Sequence, residues 1–138
     1  MKMNRRLLAF GVVGVAAVGT AFATVPASAA PASATVLSCE DKYACLYYNS
    51  DHKGAMFKHR YDISNYAGYV FAASDAGSAG AGLPVKNKAA SVANWDRGNG
   101  IRIYELSGYG GDWDGVPPWT SVNLTLTKNN NASGKWDH

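Results

Sequence analysis

Short stretches in which hydrophobic and polar residues alternate, separated by Gly, Asn, Asp and Ser, dominate the chain beyond residue 37. The pattern is clearest from Ser121 to Lys128, where Val122, Leu124 and Leu126 alternate with polar neighbours. Such alternation is typical of half-buried β-strands, and no stretch of this region has a convincing helical period. The pattern predicts a small all-β domain, with strands at 44–48, 55–59, 90–95, 101–105, 112–115 and 121–128.

Two stretches of this region repeat one another. A shift of 56 residues, from 45 to 101, places Cys45–Tyr48 on Ile101–Tyr104. The first copy is about 26 residues longer than the second, and the surplus lies between residues 61 and 86. The repeated motif consists of an aromatic residue, a glycine and a serine, which are Tyr48, Gly54 and Ser91 in the first copy and Tyr104, Gly110 and Ser121 in the second.

The residue types of this motif indicate a folded hairpin. The glycine permits a positive φ, or a close approach that leaves no room for a Cβ, where the aromatic ring packs over the turn. The serine hydroxyl can bond back to the hairpin and fix its register. Two such units, each with one apolar face, are expected to bury those faces against each other.

The N-terminus has the layout of a cleavable signal peptide. Lys2, Arg5 and Arg6 precede an uncharged apolar run over 7–25, and small residues follow. The run is just long enough to cross a bilayer, so a transmembrane anchor is the alternative, but the small residues favour cleavage after Ala29. The chain is therefore predicted to be secreted and extracellular, with a signal peptide at 1–29, a linker at 30–37, a domain at 38–128 and a polar, disordered tail at 129–138.

Removal of the signal peptide changes the charge. Three of the 13 Lys and Arg residues lie within it, so ten remain against ten Asp and Glu, and the mature chain is formally neutral. A neutral chain without a basic cluster gives no reason to expect nucleic acid or a membrane as a partner. The mature length fits one domain, which we expect to act as a monomer.

Both cysteines, Cys39 and Cys45, fall in the mature chain and are six positions apart. In an oxidising compartment this pair favours a structural disulfide, which would stabilise the fold by about 2 kcal/mol. A metal pair or a redox pair is the alternative. The sequence offers no third ligand cluster and no Cys-x-x-Cys spacing for either of them.

In its repeated motif of an aromatic residue, a glycine and a serine, the chain resembles proteins of the βγ-crystallin fold. Together with the short cysteine pair and the signal peptide, the motif is similar more narrowly to the Streptomyces metalloproteinase inhibitor family, over about residues 36–128. The resemblance implies two Greek-key motifs that form a βγ-crystallin-like sandwich. It also implies a non-enzymatic peptidase inhibitor whose partner is an extracellular protease, such as one of the thermolysin type.

The insertion at 72–88 is the segment that the resemblance implies for protease binding. It is rich in Gly, Ala and Ser and is expected to run on the surface as a mobile loop. Leu83 and Val85 would be its hydrophobic anchors, and Pro84 would restrict the loop before binding. A tolerated insertion without function is the alternative. The family implies a second disulfide that braces the loop, and this chain has no cysteine left for one.

The fold further implies calcium sites, each with two adjacent Asn or Asp, two free positions and a Thr/Ser-Ser pair. Segments 86–91 and 116–121 retain only part of this pattern, so no cofactor is expected, and calcium binding is expected to be weak or absent. The remaining calcium-ligand candidates are Asn87, Ser91, Thr120 and Ser121.

Other residues give no indication of catalysis. His52 and His59 have no acidic or thiol companion at metal-binding spacing and are expected on the surface. Asp112 and Asp114 flank Trp113 without the separated carboxylate that a glycosidase needs. The alternative function is a carbohydrate- or cell-wall-binding module, or a killer-toxin-like antifungal module on the same fold, in which exposed aromatic side chains stack on sugar rings.

Overall fold

The structure is a computed structural model that describes residues 35–138, together with Gly19 and Ala21. The predicted signal peptide and the first part of the predicted linker therefore lie outside the described residues, except for Gly19 and Ala21. Within the described part of the chain, no helix is long and apolar enough to cross a membrane.

Residues 35–138 form seven β-strands and one short 3-10 helix. Each of the six predicted strands overlaps an observed strand, and the predicted all-β class is confirmed. The elements are β1 (Ala44–Asn49), the 3-10 helix (Ser50–His52), β2 (Lys53–His59), β3 (Ser91–Asn94), β4 (Ile101–Leu106), β5 (Gly110–Val116), β6 (Thr120–Asn123) and β7 (Ser133–Trp136).

The strands form two antiparallel sheets. Sheet 1 has the order β2-β1-β3-β6, and sheet 2 has the order β5-β4-β7. Although β6 follows β5 in the chain, it belongs to sheet 1. Conversely, the segment after β2 reaches sheet 2, where Ile63 and Gly134 of β7 exchange two backbone hydrogen bonds of 2.9 Å each. The first half of the domain, with β1 to β3, thus contributes the segment at Ile63 to sheet 2, and the second half, with β4 to β7, contributes β6 to sheet 1.

The two hairpins repeat one another with a shift of 57 residues, from 44 to 101. Ala44 lies opposite His59 in the first hairpin, and Ile101 lies opposite Val116 in the second. Both hairpins also have a register shift at the same place near the turn. The predicted shift of 56 is therefore wrong by one residue.

The corrected shift changes the residues of the repeated motif. Tyr47, rather than Tyr48, corresponds to Tyr104, and Gly54 corresponds to Gly111 rather than to Gly110. Gly54 and Gly111 both have a positive φ, of +87° and +74°. Two neighbouring tyrosines in one copy and two neighbouring glycines in the other make the two alignments look alike in sequence.

In the first motif, a buried serine ties the hairpin turn to the adjacent strand. The Ser91 hydroxyl on β3 donates a hydrogen bond of 2.6 Å to the carbonyl of Asn49 and accepts one of 3.0 Å from the amide of His52. The ring of Tyr47 lies edge-on to the ring of His52, with centroids 5.7 Å apart. The serine thus serves the role that its position in the motif predicts.

The second motif has the same arrangement with Ser133 of β7 as the serine. The Ser133 hydroxyl donates to the carbonyl of Leu106 at 2.6 Å and accepts from the amide of Tyr109 at 3.1 Å. Ser121 lies exposed on β6, so its predicted role is wrong. Ser121 resembles Ser91 in sequence because a valine follows each of them, whereas Ser133 precedes Gly134.

The main hydrophobic core lies between the two sheets. Leu46 and Val92 of sheet 1 belong to the same buried cluster as Ile103 and Trp136 of sheet 2. A second cluster lies on the opposite face of sheet 1. It consists of Cys45, Tyr47, Met56 and Ala93, with Leu37, Cys39, Tyr43, Ala76 and Trp95 packed against them.

The C-terminal part of the domain differs most from its prediction. Strand β6 ends at Asn123, and 124–128 leaves the sheet because the hydroxyls of Thr125 and Thr127 each bond the Asp114 carboxylate at 2.8 Å. The predicted disordered tail at 129–138 is also wrong, since it contains β7, a strand of sheet 2. The polar composition of this segment is misleading, because some of its polar side chains are buried and form hydrogen bonds within the domain.

His59 is buried rather than exposed, so its predicted surface position is wrong. Within residues 35–138, neither ring nitrogen has a hydrogen-bond partner, and the ring lies edge-on to Tyr66 and Trp136, with centroids at 5.7 and 6.2 Å. Burial lowers the pKa of His59 to about 4, against the opposing effect of the Asp62 charge. His52 is half-buried.

Replacement of Ser133 tests its assignment to the motif. Ser133→Ala should lower the free energy of unfolding by about 1–3 kcal/mol, because the Leu106 carbonyl and the Tyr109 amide lose their shared partner. Ser121→Ala is the matched control and should change it by less than about 0.5 kcal/mol. Urea unfolding measures both values, and equal losses would contradict the assignment.

Stability should also depend on pH through His59. As the pH falls below about 6.5, the unfolded chain binds a proton that the folded chain does not bind until about pH 4. The free energy of unfolding should therefore decrease over this range, by about 3 kcal/mol in all. His59→Phe should flatten this slope in urea unfolding at a series of pH values. An unchanged slope would show that other groups cause the acid sensitivity.

Candidate functional site

Residues 72–88 were expected to form a mobile loop, but backbone hydrogen bonds hold their first half along β2. Ala72 and Met56 exchange two such bonds, of 2.8 and 2.9 Å. Further along, the amide of Ala55 donates to the carbonyl of Ala79 at 2.9 Å. The insertion lies on the surface, as predicted from its composition, but it is ordered against the domain.

Small residues permit this close packing. A Cβ atom on Gly54 would lie 2.9 Å from the carbonyl oxygen of Ala79. Gly80 has a φ of +85°, and a Cβ atom there would collide with the ring of Tyr48. The Tyr48 ring in turn lies edge-on to Phe71, with centroids 5.8 Å apart. Tyr48 therefore anchors the insertion, a role different from the one predicted for it.

The disulfide braces the other side of the insertion. Cys39 and Cys45 are bonded, as predicted. The segment just before Cys39 runs beside the insertion, where the amide of Leu37 donates to the carbonyl of Ala73 at 3.2 Å and the amide of Asp75 donates to that of Leu37 at 2.8 Å. The insertion thus lies between β2 and a segment that the disulfide ties to β1.

The second half of the insertion forms a short antiparallel pairing with the segment before it. The amide of Phe71 donates to the carbonyl of Leu83 at 3.0 Å, and Val70 forms an isolated bridge with Pro84. The last residue of each run in this pairing is buried, and the residue before it is exposed. Phe71 and Val85 are buried in the core, whereas Val70 and Pro84 are exposed.

We call the exposed residues Tyr69, Val70, Leu83 and Pro84 the apolar edge. Tyr69, Val70 and Leu83 are 42%, 54% and 39% exposed. The predicted anchor Leu83 and the predicted restraint Pro84 belong to this edge, but the second predicted anchor, Val85, does not. Its predicted contact with a protease is wrong because its side chain is fully buried.

Tyr69 and Val70 are candidate contact residues that sequence reasoning missed. Their signal is weak but present, because two hydrophobic triplets, 69–71 and 83–85, flank a turn rich in Gly and Ala. Two such runs around a glycine-containing connection are typical of a hairpin. The composition of residues 72–88 alone does not reveal this hairpin, because its first run, 69–71, lies outside the insertion.

The predicted calcium ligands do not form an available oxygen cluster. The hydroxyl of Ser91 donates to Asn49, and that of Thr120 donates to the carbonyl of Pro118 at 3.0 Å. Ser121 and Thr120 lie on β6, whereas Asn87 precedes β3. Within residues 35–138, no three His, Cys, Asp or Glu side chains are grouped so that they could hold a metal ion.

The carboxylate of Asp114 has a structural role. Burial raises its pKa, but hydrogen bonds from the backbone and hydroxyl groups of Thr127 and Thr125 outweigh this effect and lower the pKa below its usual value. These bonds hold the segment after β6 against β5. Asp112 makes no comparable set of bonds.

Comparison with known proteins gives a family. The family model described as "Peptidase inhibitor family I36" matches residues 32–116, which is more than half of the chain. The match includes the disulfide, the whole insertion and the first five strands. No match to a curated protein was found.

Solved structures agree on the fold. One described as "Evolution of the eye lens beta-gamma-crystallin domain fold" has a TM-score of 0.55 and 14% identity, over 74% of this chain and 92% of that one. The N-terminal domain of Protein S has a TM-score of 0.51 and 20% identity, over 69% of this chain and 94% of that one. The predicted βγ-crystallin-like sandwich is therefore confirmed.

Gly80 offers a test of how the insertion is held. Gly80→Ala should destabilise the protein by at least about 2 kcal/mol and should increase proteolytic cleavage within 72–88, because the new Cβ displaces the Tyr48 ring. Gly82→Ala is the matched control, since Gly82 has a similar φ of +82° but open space around it. Limited proteolysis followed by mass spectrometry compares the two. Equal cleavage rates would show that Tyr48 does not anchor the segment.

Proposed function

Because this chain belongs to peptidase inhibitor family I36, we propose that it inhibits an extracellular metalloprotease of the thermolysin type through the apolar edge. Family membership establishes the coarser role, which is that of a non-enzymatic, peptidase-inhibitor-like protein with a protease as its partner. The observation that carries the finer proposal is that the apolar edge is both exposed and held in place.

Restraint of the edge matters because an inhibitor must bind a protease cleft without being cleaved as a substrate. A flexible loop loses conformational entropy on binding and is easily cut. Here the loop is already ordered by its bonds to β2, by the packing of Tyr48 on Gly80 and by the disulfide-tied segment. These contacts replace the second disulfide that the family resemblance implies.

The chemistry of the edge suits a cleft that accepts bulky apolar side chains. Leu83 supplies an aliphatic side chain, Pro84 limits backbone freedom beside it, and Tyr69 and Val70 widen the apolar contact area. We assign the protease to the thermolysin type on the family resemblance, which agrees with this apolar character.

We also propose that the protein acts outside the cell. The N-terminal sequence favours a signal peptide at 1–29. The Cys39–Cys45 disulfide supports export, because structural disulfides persist mainly in oxidising compartments. Inhibition of a secreted protease would be consistent with that location.

Titration of the purified protein into thermolysin tests the proposed function, with subtilisin and trypsin as arms for other protease classes. We expect inhibition of thermolysin at micromolar concentrations or below, with residues 72–88 left uncut in mass spectra. No inhibition at micromolar excess, or rapid cleavage within the segment, would contradict the proposal. Inhibition of subtilisin or trypsin alone would overturn the assignment to a metalloprotease.

A charge on the apolar edge should weaken protease binding without unfolding the domain. Leu83→Asp should raise the inhibition constant at least about tenfold, because a carboxylate would have to enter an apolar cleft. Leu126→Asp is the matched control, since Leu126 is 62% exposed and lies after β6, outside the apolar edge. Thermal unfolding checks that both variants remain folded. Equal inhibition constants for the two variants would exclude Leu83 from the contact.

A further inference from the structure

The two sheets of the domain differ in what covers their outer faces. On sheet 1, the outward side chains are apolar and are covered by the disulfide-tied segment and its neighbours. The corrected repeat identifies the equivalent positions on sheet 2, where the outward residues are mostly polar or exposed. The pairs are Cys45 and Arg102, Tyr47 and Tyr104, Met56 and Trp113, and Ala93 and Lys135.

Trp113 is the most conspicuous residue of this open face, with 46% of its surface exposed. The guanidinium carbon of Arg102 lies 4.7 Å from the centroid of the Trp113 ring. A Cβ atom on Gly115 would lie 3.1 Å from the Trp113 ring, so the glycine lets the indole pack close to the backbone of β5. The indole is therefore held in place while much of it remains accessible.

An ion pair continues the face beside this indole. Arg102 Nε lies 3.2 Å from Asp137 Oδ1, and the two side chains are 43% and 45% exposed. The pair borders two shallow grooves. One, of about 290 Å³, is lined in part by Trp113, Pro117 and Pro118. The other, of about 450 Å³, is lined by Tyr104, Lys135, Trp136 and His138, together with the Arg102–Asp137 pair.

From this arrangement we infer that the outer face of sheet 2 is a second binding site, and that its ligand is a polysaccharide. The exposed indole offers an apolar platform for the C–H face of a sugar ring. The ion pair places the N–H donors of Arg102 next to the carboxylate oxygens of Asp137. Neighbouring hydroxyl groups of a sugar can accept hydrogen bonds from the first and donate hydrogen bonds to the second. The two grooves that share the pair provide room for a chain rather than a single ring.

The charges of the face favour a polysaccharide over a nucleic acid. A nucleic-acid site depends on cations that neutralise phosphates, whereas Arg102 is already paired with Asp137. Residues 30–138 have ten basic and ten acidic residues, so no long-range positive field would attract a polyanion. This inference does not rest on the proposed inhibition of a protease, because none of its residues belongs to the apolar edge.

Co-sedimentation of the purified protein with insoluble chitin, β-1,3-glucan and peptidoglycan tests the site, with retention on polyuridylic acid resin as a further arm. We expect retention on at least one polysaccharide, little change when the salt concentration is raised, and about tenfold weaker binding for Trp113→Ala. Arg102→Gln should weaken binding to the same polysaccharide as well. Trp119→Ala is the matched control, since Trp119 is also 46% exposed but lines neither groove.

Each of the other outcomes would overturn the inference. No retention on any polysaccharide would exclude the ligand class, and retention on polyuridylic acid alone would assign the face to a polyanion. Equal losses for Trp113→Ala and Trp119→Ala would show that binding does not use this face. Inhibition of thermolysin is measured on the same variants, and Trp113→Ala should leave the inhibition constant unchanged. Failure of the polysaccharide site can therefore be distinguished from failure of the proposed inhibition.

Discussion

Ser91 and Ser133 each place one hydroxyl between an amide donor and a carbonyl acceptor of a hairpin turn, and the course of the chain depends on these two sets of bonds. Each serine lies on the strand that pairs beside its hairpin, β3 in sheet 1 and β7 in sheet 2. The turn is therefore folded over the sheet and fixed in register. Removal of such a hydroxyl would leave buried polar groups without a partner, which costs more free energy than one hydrogen bond contributes. The insertion and the C-terminal segment both take their positions from strands that these bonds align.

The repeat could be found from sequence because its elements are local. The alternation that marks a strand spans only a few residues, and the tyrosine and the glycine of one hairpin lie close together in the chain. These local features predict the all-β class and the positions of the strands correctly. The serines are 44 and 29 residues beyond the tyrosines Tyr47 and Tyr104 to which they pair, across connections of different length. No local rule fixes that distance. Sequence alone therefore offers no distance by which to reject Ser121, and it cannot tell a shift of 56 from one of 57 where tyrosines and glycines occur in pairs.

The insertion shows where composition is insufficient. Small side chains predict a surface segment, which is correct, but they also allow a backbone to approach a neighbouring strand closely enough to be held by it. Gly54 and Gly80 do this, the first against Ala79 and the second against Tyr48. Hydrophobicity is insufficient in the same way for Val85. It identifies Val85 as a residue that favours burial, but it does not say whether a protease or the protein's own core buries the side chain. Only the pairing of 69–71 with 83–85 decides which side chains face outward.

The corrected repeat also shows how one scaffold can carry two separate surfaces. In the first half of the chain, the connection after β2 is longer than its counterpart in the second half, and this length lets it order an exposed apolar edge. The same half also uses the disulfide-tied segment to cover its sheet, which requires apolar residues at Cys45, Met56 and Ala93. No segment of the described residues 35–138 covers the second half in this way, so its equivalent positions must be compatible with water, and Arg102 and Lys135 meet that requirement. Trp113 does not, since an exposed indole contributes nothing to the core. The neighbouring Arg102 and Gly115 hold the indole in place without burying it, so it is available to the polysaccharide that we propose for this face.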